Sequence, residues 1–289
     1  MQDTLHEWRT TSQSLPLWWL LEKGSSLYSE ETNTKENRKE RGMGSPRLFA
    51  ICMGLSHTYI IHSRIHDIKM TKEVMDKCST TFACCTKAFP AEVRKDVYSL
   101  YGFIRHVDNI VDGDELVGDL KRLAYNFAYV NKKYDMPKEW KHDFYNSMRM
   151  DAQKVHHTDE SMLRYCRGSA EVIGLMMAKI LDAPESAYPY AEHLGRAYQI
   201  INFVRDYDED TARGYHYIGP EHDKYLDMFE ASLYFGELGL KYLPRKVRKP
   251  IRYANEMYRW CAKKLRKGYK NPKPNGLVRA WIKFKVTLW

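Results

Sequence analysis

YSLYGFIRHVDNIVD, residues 98–112, decides the fold of this chain, and GRAYQIINFVRDYDEDTARG, residues 195–214, repeats its design. In the first stretch four polar side chains are spaced 4, 3 and 4 residues apart. They are Tyr101, Arg105, Asp108 and Asp112. At about 100° per residue they share a helical stripe roughly 60° wide, and apolar residues cover most of the remaining circumference. Because an ordinary surface helix is polar over a broader arc, this narrow stripe predicts a helix that faces an internal cavity.

The second stretch carries a similar polar stripe among apolar residues. Its members are Gly195, Gln199, Asn202, Asp206, Asp210 and Arg213. Carboxylates on a buried face need a bound cation. Two carboxylates four residues apart lie about 6 Å apart along a helix, which suits Mg²⁺, or Mn²⁺ in its place, shared with substrate phosphates. The alternative is two internal ion pairs, Asp108 with Arg105 and Asp210 with Arg213, and it is less favoured because burying charges gains little stability.

Helical periodicity dominates the chain from residue 70 onward, so we predict an all-α domain. The only convincing alternation at period two is WIKFKVTLW, residues 281–289. Short segments rich in Gly, Pro or Asp join the predicted helices. These helices cover about 71–87, 91–112, 115–134, 138–152, 159–181, 187–211, 227–242 and 245–268.

We divide the chain into an extension, residues 1–69, and the all-α domain, residues 70–289. The extension is interpreted as disordered or as the product of a start codon assigned too early, because its polar stretch SEETNTKENRKERG lacks core-forming residues. No apolar run is long enough to cross a bilayer. Six cysteines without metal-ligand spacing indicate a reducing compartment, and we expect a cytoplasmic protein.

Charge is distributed unevenly. Residues 70–240 carry 21 basic and 28 acidic side chains, a net −7, whereas residues 241–289 carry 16 and 1, a net +15. The basic end predicts either a peripheral contact with an anionic membrane surface or simply a solvated face. No nucleic-acid-binding motif accompanies the charge, so nucleic acid is not expected as a partner.

The two aspartate stretches, with three other segments, resemble the squalene/phytoene synthase family, the head-to-head trans-prenyl transferases, and phytoene and dehydrosqualene synthases in particular. The segments that carry the resemblance are STTF (79–82), FPAEVRKDVYSLYGFIRHVDNIVDG (89–113), YCRGSAEVIGLMM (165–177), QIINFVRDYDEDTARGYHYI (199–218) and, more weakly, ANEMYRWCAKKLRKGY (254–269). The aspartate segments are the specific ones. Together the segments span most of 70–269, in the family's order.

The resemblance implies an isoprenoid-synthase-type helical bundle around a deep central cavity. It also implies the condensation of two prenyl diphosphates, farnesyl or geranylgeranyl diphosphate, through a cyclopropyl diphosphate to phytoene or a squalene-type hydrocarbon. The implied metal ligands are Asp108, Asp112, Asn202, Asp206 and Asp210. The implied diphosphate contacts are Ser79, Arg105, Asn202, Arg205, Arg213 and Tyr217. The implied catalytic set is Asp108, Asp112, Asp206 and Asp210 with the aromatic residues Tyr101 and Tyr258.

Other aromatic and small residues are assigned with open alternatives. Phe82, Gly168 and Ala170 are implied to line the prenyl channel, but an isolated Phe such as Phe82 fits plain core better. Tyr258 fits plain core equally well, and Gly168 and Ala170 also fit close helix packing. Asn109 departs from the family, which usually has an acidic residue there. The absence of a nicotinamide-binding fingerprint leads us to expect no NADPH, and geranylgeranyl diphosphate is favoured slightly over farnesyl diphosphate.

Two rival functions remain at this stage. A catalytically silent relative could act as a binding or assembly factor, as in the family branch associated with respiratory complex assembly. Such a protein is expected to lose metal-binding aspartates, whereas all four are present here. A terpene cyclase shares the all-α architecture but not the combination of DNIVD with NFVRDYDED.

Overall fold

The computed structural model describes residues 68–288, and these residues form an all-α fold, as predicted. The prediction for residues 1–69 lies outside the described residues, apart from its last two positions. Among the described helices, none combines the length and the apolar character that crossing a bilayer requires.

Eleven α-helices follow one another through residues 68–288, with short 3₁₀ segments at Glu185–Ala187 and Gly239–Tyr242. They are α1 (Ile68–Cys78), α2 (Thr80–Thr86), α3 (Ala91–Asp112), α4 (Leu120–Lys133), α5 (Lys138–Ala152), α6 (Asp159–Cys166), α7 (Val172–Ile180), α8 (Tyr188–Ala212), α9 (His222–Leu238), α10 (Arg245–Leu265) and α11 (Gly276–Thr287). A π-helical segment, Arg167–Glu171, joins α6 to α7.

The structure differs from the predicted elements at three places. The helix predicted over 71–87 is two helices, because Ser79 leaves the helical conformation and its hydroxyl caps α2 by accepting from the Phe82 N–H (3.1 Å). The helix predicted over 159–181 is interrupted by the π-helical segment. No helix was predicted after residue 268, yet the described residues of the alternating segment 281–289 belong to α11 and its C-terminal cap.

Helices α3 and α8 occupy the centre of the packing. Helix α3 packs against α1, α4 and α5, and α8 packs against α7, α9 and α10. Most of the apolar residues that were predicted to face away from the polar stripes are buried, among them Phe103 on α3 and Ile200 on α8. Three on α3 are only half-buried, namely Ile104, Ile110 and Val111. Phe103 stacks on Phe127 of α4 with ring centroids 4.4 Å apart, a contact that contributes about 0.5–1.5 kcal/mol beyond area burial.

Both aspartate-bearing helices end at a glycine in the left-handed conformation. Gly113 (φ 71°) terminates α3 directly after Asp112, and Gly214 (φ 81°) follows the last turn of α8. Glycine tolerates positive φ without a Cβ penalty, so it can end a helix abruptly. The turn at Gly113 places Asp114 beside Arg213, whose Nη2 lies 2.9 Å from Oδ1 of Asp114.

Gly168 allows helix α5 to approach the π-helical segment closely. A Cβ added at Gly168 would lie 2.0 Å from the carbonyl oxygen of Asp143, which no backbone could accommodate unchanged. Gly168 is therefore a packing residue. It does not line the central cavity of the helical bundle, so its assignment to the prenyl channel is corrected. Of the two alternatives, close packing holds for Gly168, whereas Ala170 does line the cavity.

Candidate active site

Most of the site residues predicted from sequence line one cavity of about 640 Å³, which is otherwise walled mainly by apolar side chains. The predicted residues found in its wall are Ser79, Phe82, Tyr101, Arg105, Asp108, Ala170, Asn202, Arg205, Asp206, Asp210, Tyr217 and Tyr258. Asp112 and Arg213 are not wall residues, but they join the ends of α3 and α8, because Nη2 of Arg213 donates to the carbonyl oxygen of Asp112 (2.9 Å). The polar stripes of α3 and α8 therefore share one cavity.

The carboxylates of the two helices are close enough to affect each other. Burial and the charge of Asp108 raise the pKa of Asp112 to about 7. Burial and the charges of Asp206 and Asp112 raise the pKa of Asp210 to about 7. A raised carboxyl pKa means that the negative charge lacks sufficient compensation from the surrounding protein. The site is therefore electrostatically suited to a cation.

The arginines compensate these carboxylates only in part. Arg105 pairs with Asp108 on α3, and Arg205 pairs with its neighbour Asp206 on α8, where Nε lies 2.8 Å from Oδ1. The ion pair considered between Asp210 and Arg213 is not formed, because Arg213 pairs with Asp114 instead. The sequence-based alternative of two internal ion pairs thus holds for Asp108 and is wrong for Asp210.

Three buried polar atoms in the cavity wall have no hydrogen-bond partner. They are Oδ1 of Asn202, Nε of Arg105 and Oγ of Ser169. An unsatisfied buried polar group costs about 1–3 kcal/mol, so such groups call for an explanation. A ligand that offers both a cation and anionic oxygens would satisfy the amide oxygen of Asn202 and the guanidinium of Arg105 together.

The donor set fits a metal ion that is completed by substrate. Among residues 68–288, no group of three or more His, Cys, Asp or Glu side chains is arranged so that it could hold a metal ion by itself. Mg²⁺ rarely uses such a closed cage and is typically held by one or two carboxylates together with substrate phosphates. The oxygens of Asp108, Asp112, Asn202, Asp206 and Asp210 are of the required kind.

Aromatic rings cluster around Phe82 at the cavity. Its ring centroid lies 5.9 Å from that of Tyr101 and 6.2 Å from that of Tyr258. Tyr198, which sequence reasoning did not identify, stacks on Tyr258 at 4.6 Å and also lines the cavity. The sequence feature that could have identified Tyr198 is its position one helical turn before Asn202. Core packing and a place in the cavity wall therefore both hold for Phe82 and Tyr258, since both residues pack in a hydrophobic cluster and both line the cavity.

Asp151 is a second residue that sequence reasoning did not identify. It is 2% exposed, and its two carboxyl oxygens accept hydrogen bonds from the hydroxyls of Tyr165 and Tyr217, each at 2.7 Å. Burial raises the pKa of its carboxyl well above the usual value. The hydroxyl of Tyr217, predicted to contact diphosphate, is thus held by Asp151. No local motif marks an aspartate in SMRMDA as part of a site.

The squalene/phytoene synthase family model matches residues 75–124 and 114–234, which together exceed half of the 289 residues. The chain belongs to the squalene/phytoene synthase family. The matched region contains α3 and α8 with all four predicted metal-binding aspartates, so the resemblance seen in the sequence is confirmed.

Individual relatives and a solved structure agree with the family assignment. The chain is 30% identical over 175 residues to a 15-cis-phytoene synthase of Enterobacter agglomerans, a match that covers 50% of this chain but only 59% of that enzyme. It is 23% identical to a 4,4'-diapophytoene synthase of Staphylococcus haemolyticus, over 74% of this chain and 92% of that enzyme. The crystal structure of a dehydrosqualene synthase in complex with ligand shares the fold at a TM-score of 0.69, with 19% identity and coverage of 77% of this chain and 95% of that one.

Proposed function

We propose that this protein catalyses the head-to-head condensation of two prenyl diphosphates to a C30 or C40 hydrocarbon, by way of a cyclopropyl diphosphate. One observation carries the proposal: two helices, each with paired aspartates, line the same largely apolar cavity, where the acidic charge is incompletely compensated. A purely structural bundle would have no reason to place repelling, half-buried carboxylates beside unpaired buried polar atoms.

The proposed role of each residue follows from its position in the cavity. Arg105 has a free buried N–H and is placed to donate to a diphosphate oxygen, which would stabilise charge on the leaving group. Arg205 and Arg213 supply further positive charge nearby. Mg²⁺, held by the aspartates and Asn202, would neutralise diphosphate charge and act as a Lewis acid at the departing oxygen.

The apolar part of the cavity suits the prenyl chains and the cationic carbon that remains when diphosphate leaves. Phe82, Tyr101 and Tyr258 place aromatic rings near the acidic end, and an aromatic face attracts a cation within about 6 Å. Apolar side chains and small residues continue the wall away from the aspartates. They include Ala170, Ile173, Met177, Leu181 and Leu240. Such a wall excludes the water that would otherwise trap a carbocation.

For the substrate we propose geranylgeranyl diphosphate, with farnesyl diphosphate as the alternative. The relative named 15-cis-phytoene synthase supports the C20 substrate, and the relative named 4,4'-diapophytoene synthase supports the C15 substrate. NADPH is not required in this proposal, since the reaction ends at the unreduced hydrocarbon. We also propose a cytoplasmic protein whose basic region, 241–289, brings it to an anionic membrane surface.

The test is incubation of the purified full chain with labelled C15 and C20 diphosphates and Mg²⁺, with and without NADPH. We expect a C40 hydrocarbon from the C20 substrate that requires Mg²⁺ and does not require NADPH. Folded protein that gives no hydrocarbon from either substrate would contradict the proposal and favour a silent binding or assembly factor. A cyclised monomeric product would instead indicate a terpene cyclase.

A further inference from the structure

An apolar stripe lies exposed along helix α11. Its members are Leu277 (83% exposed), Trp281 (60%), Phe284 (62%) and Leu288 (72%). Their spacings of 4, 3 and 4 residues place them within about 60° of one helical face. On another face of the same helix, Ile282 and Val286 are buried against residues of α10. Helix α11 is thus apolar on two faces, of which only one is used by the described fold, and exposed apolar patches of this kind mark interaction sites.

The charged residues of helix α11 itself are all basic. Helix α11 contains Arg279, Lys283 and Lys285 and no acidic residue. Lys285 is engaged with Glu256 (2.7 Å), whereas Lys283 is exposed. An aromatic stripe on a helix whose charged residues are all basic is the pattern of helices that lie in the interface of an anionic bilayer. Two copies of this chain would bring like charges together at the same surface, so self-association is disfavoured.

The stripe is also connected to the cavity. Pro272, Lys273 and Pro274 line the cavity wall, and Asn275 then caps the N-terminus of α11, its side chain accepting from the N–H of Val278 (3.0 Å). One short segment therefore leads from the apolar cavity to the exposed apolar face. A hydrocarbon product would be insoluble in water, and this arrangement would place the cavity wall next to a lipid phase.

We propose that helix α11 inserts the stripe formed by Leu277, Trp281, Phe284 and Leu288 into the headgroup–acyl boundary of an anionic bilayer. In this arrangement the helix lies in the membrane plane, with the exposed Lys283 at the level of the lipid phosphates. Apolar contact holds the protein on the membrane, and the basic region increases the association rate and the affinity for the anionic surface. The benefit for product release rests on the proposed function, whereas the membrane contact itself does not.

The test is sedimentation of the full chain with phosphatidylserine-containing and with pure phosphatidylcholine vesicles, in the absence of substrate. We expect stronger binding to the anionic vesicles. We also expect a fraction of the protein to stay bound at about 1 M sodium chloride, because the Debye length there is about 3 Å and electrostatic attraction is screened. The double substitution Trp281→Ser/Phe284→Ser is expected to lower the partition coefficient at least about tenfold on both vesicle types, because it removes two inserted aromatic side chains.

The matched control is Tyr234→Ser/Phe235→Ser on α9, which removes exposed aromatic surface (61% and 49% exposed) outside the basic region. It is expected to leave vesicle binding unchanged. Equal binding by the α11 variant and the unmodified chain would overturn the proposal, and so would full release by salt. A dimer in light scattering that the α11 variant converts to a monomer would assign the stripe to self-association and overturn it as well. Because no substrate is present, none of these outcomes depends on catalytic activity.

Discussion

Replacing Asp210 by Asn is expected to lower turnover of prenyl diphosphate at least about 100-fold while leaving the free energy of unfolding unchanged or slightly raised. Asp210 is half-buried, and its desolvation together with the charges of Asp206 and Asp112 raises its pKa to about 7. A neutral amide of the same shape relieves that repulsion in the metal-free protein. It also removes a charge that the proposed metal–diphosphate cluster requires. Steady-state kinetics and urea denaturation measure the two effects separately.

Asp208→Asn is the matched control. Asp208 lies on the same helix, but its side chain is 65% exposed and pairs with Lys270 at the surface. Such an exposed pair contributes about 0–1 kcal/mol, so both turnover and stability should stay near those of the unmodified chain. If Asp210→Asn instead destabilised the protein strongly, Asp210 would be part of a structural charge network and the catalytic interpretation would be wrong. Asp206 is a less clean choice, because its loss leaves Arg205 without its ion-pair partner.

Asp151→Asn is expected to cost about 1–3 kcal/mol of unfolding free energy and to reduce kcat. The carboxyl accepts from both Tyr165 and Tyr217 at 2.7 Å, whereas an amide offers only one accepting oxygen. One buried hydroxyl therefore loses its acceptor, and one of the two tyrosines in the cavity wall is no longer held in its present orientation. Urea denaturation reports the first effect, and kcat compared with KM reports the second.

A double-mutant cycle with Tyr217→Phe separates this positioning role from general destabilisation. In the Tyr217→Phe background only Tyr165 needs an acceptor, and Asn at position 151 can supply one. We therefore expect Asp151→Asn to cost less there, with a coupling free energy of about 0.5–3 kcal/mol. Additive costs would show that the two tyrosines do not depend on Asp151 in the way that the structure indicates.

The aspartate stripes could be predicted because their chemistry is local. Two carboxylates four residues apart on an otherwise apolar helix conflict with burial unless a ligand is bound, and this conflict is visible in the sequence itself. The approach of Arg213 to Asp114, in contrast, depends on how Gly113 and Gly214 end two helices that are far apart in the chain. Spacing within one helix holds no information about that contact.

Helix α11 was missed for a physical reason. Its exposed face, with Trp281 and Phe284, and its buried face, with Ile282 and Val286, are both apolar, so no single stripe of period 3.6 stands out. Lysines between them create an apparent alternation at period two. Asp151 and Tyr198 were missed because each acts through a partner distant in sequence. The π-helical segment was also missed; it contains Gly168, whose close packing against α5 is a tertiary contact.

The central claim is that the aspartates of α3 and α8 hold one metal–diphosphate cluster jointly, and titration calorimetry with inorganic pyrophosphate tests it most directly. The full chain is compared with Asp112→Asn, Asp210→Asn and the double variant, with and without Mg²⁺. We expect pyrophosphate binding that requires Mg²⁺, a Kd raised at least about tenfold by either substitution, and little further loss in the double variant, because residues that share one ligand are not additive. Binding that needs no Mg²⁺, or losses that simply add, would contradict the claim.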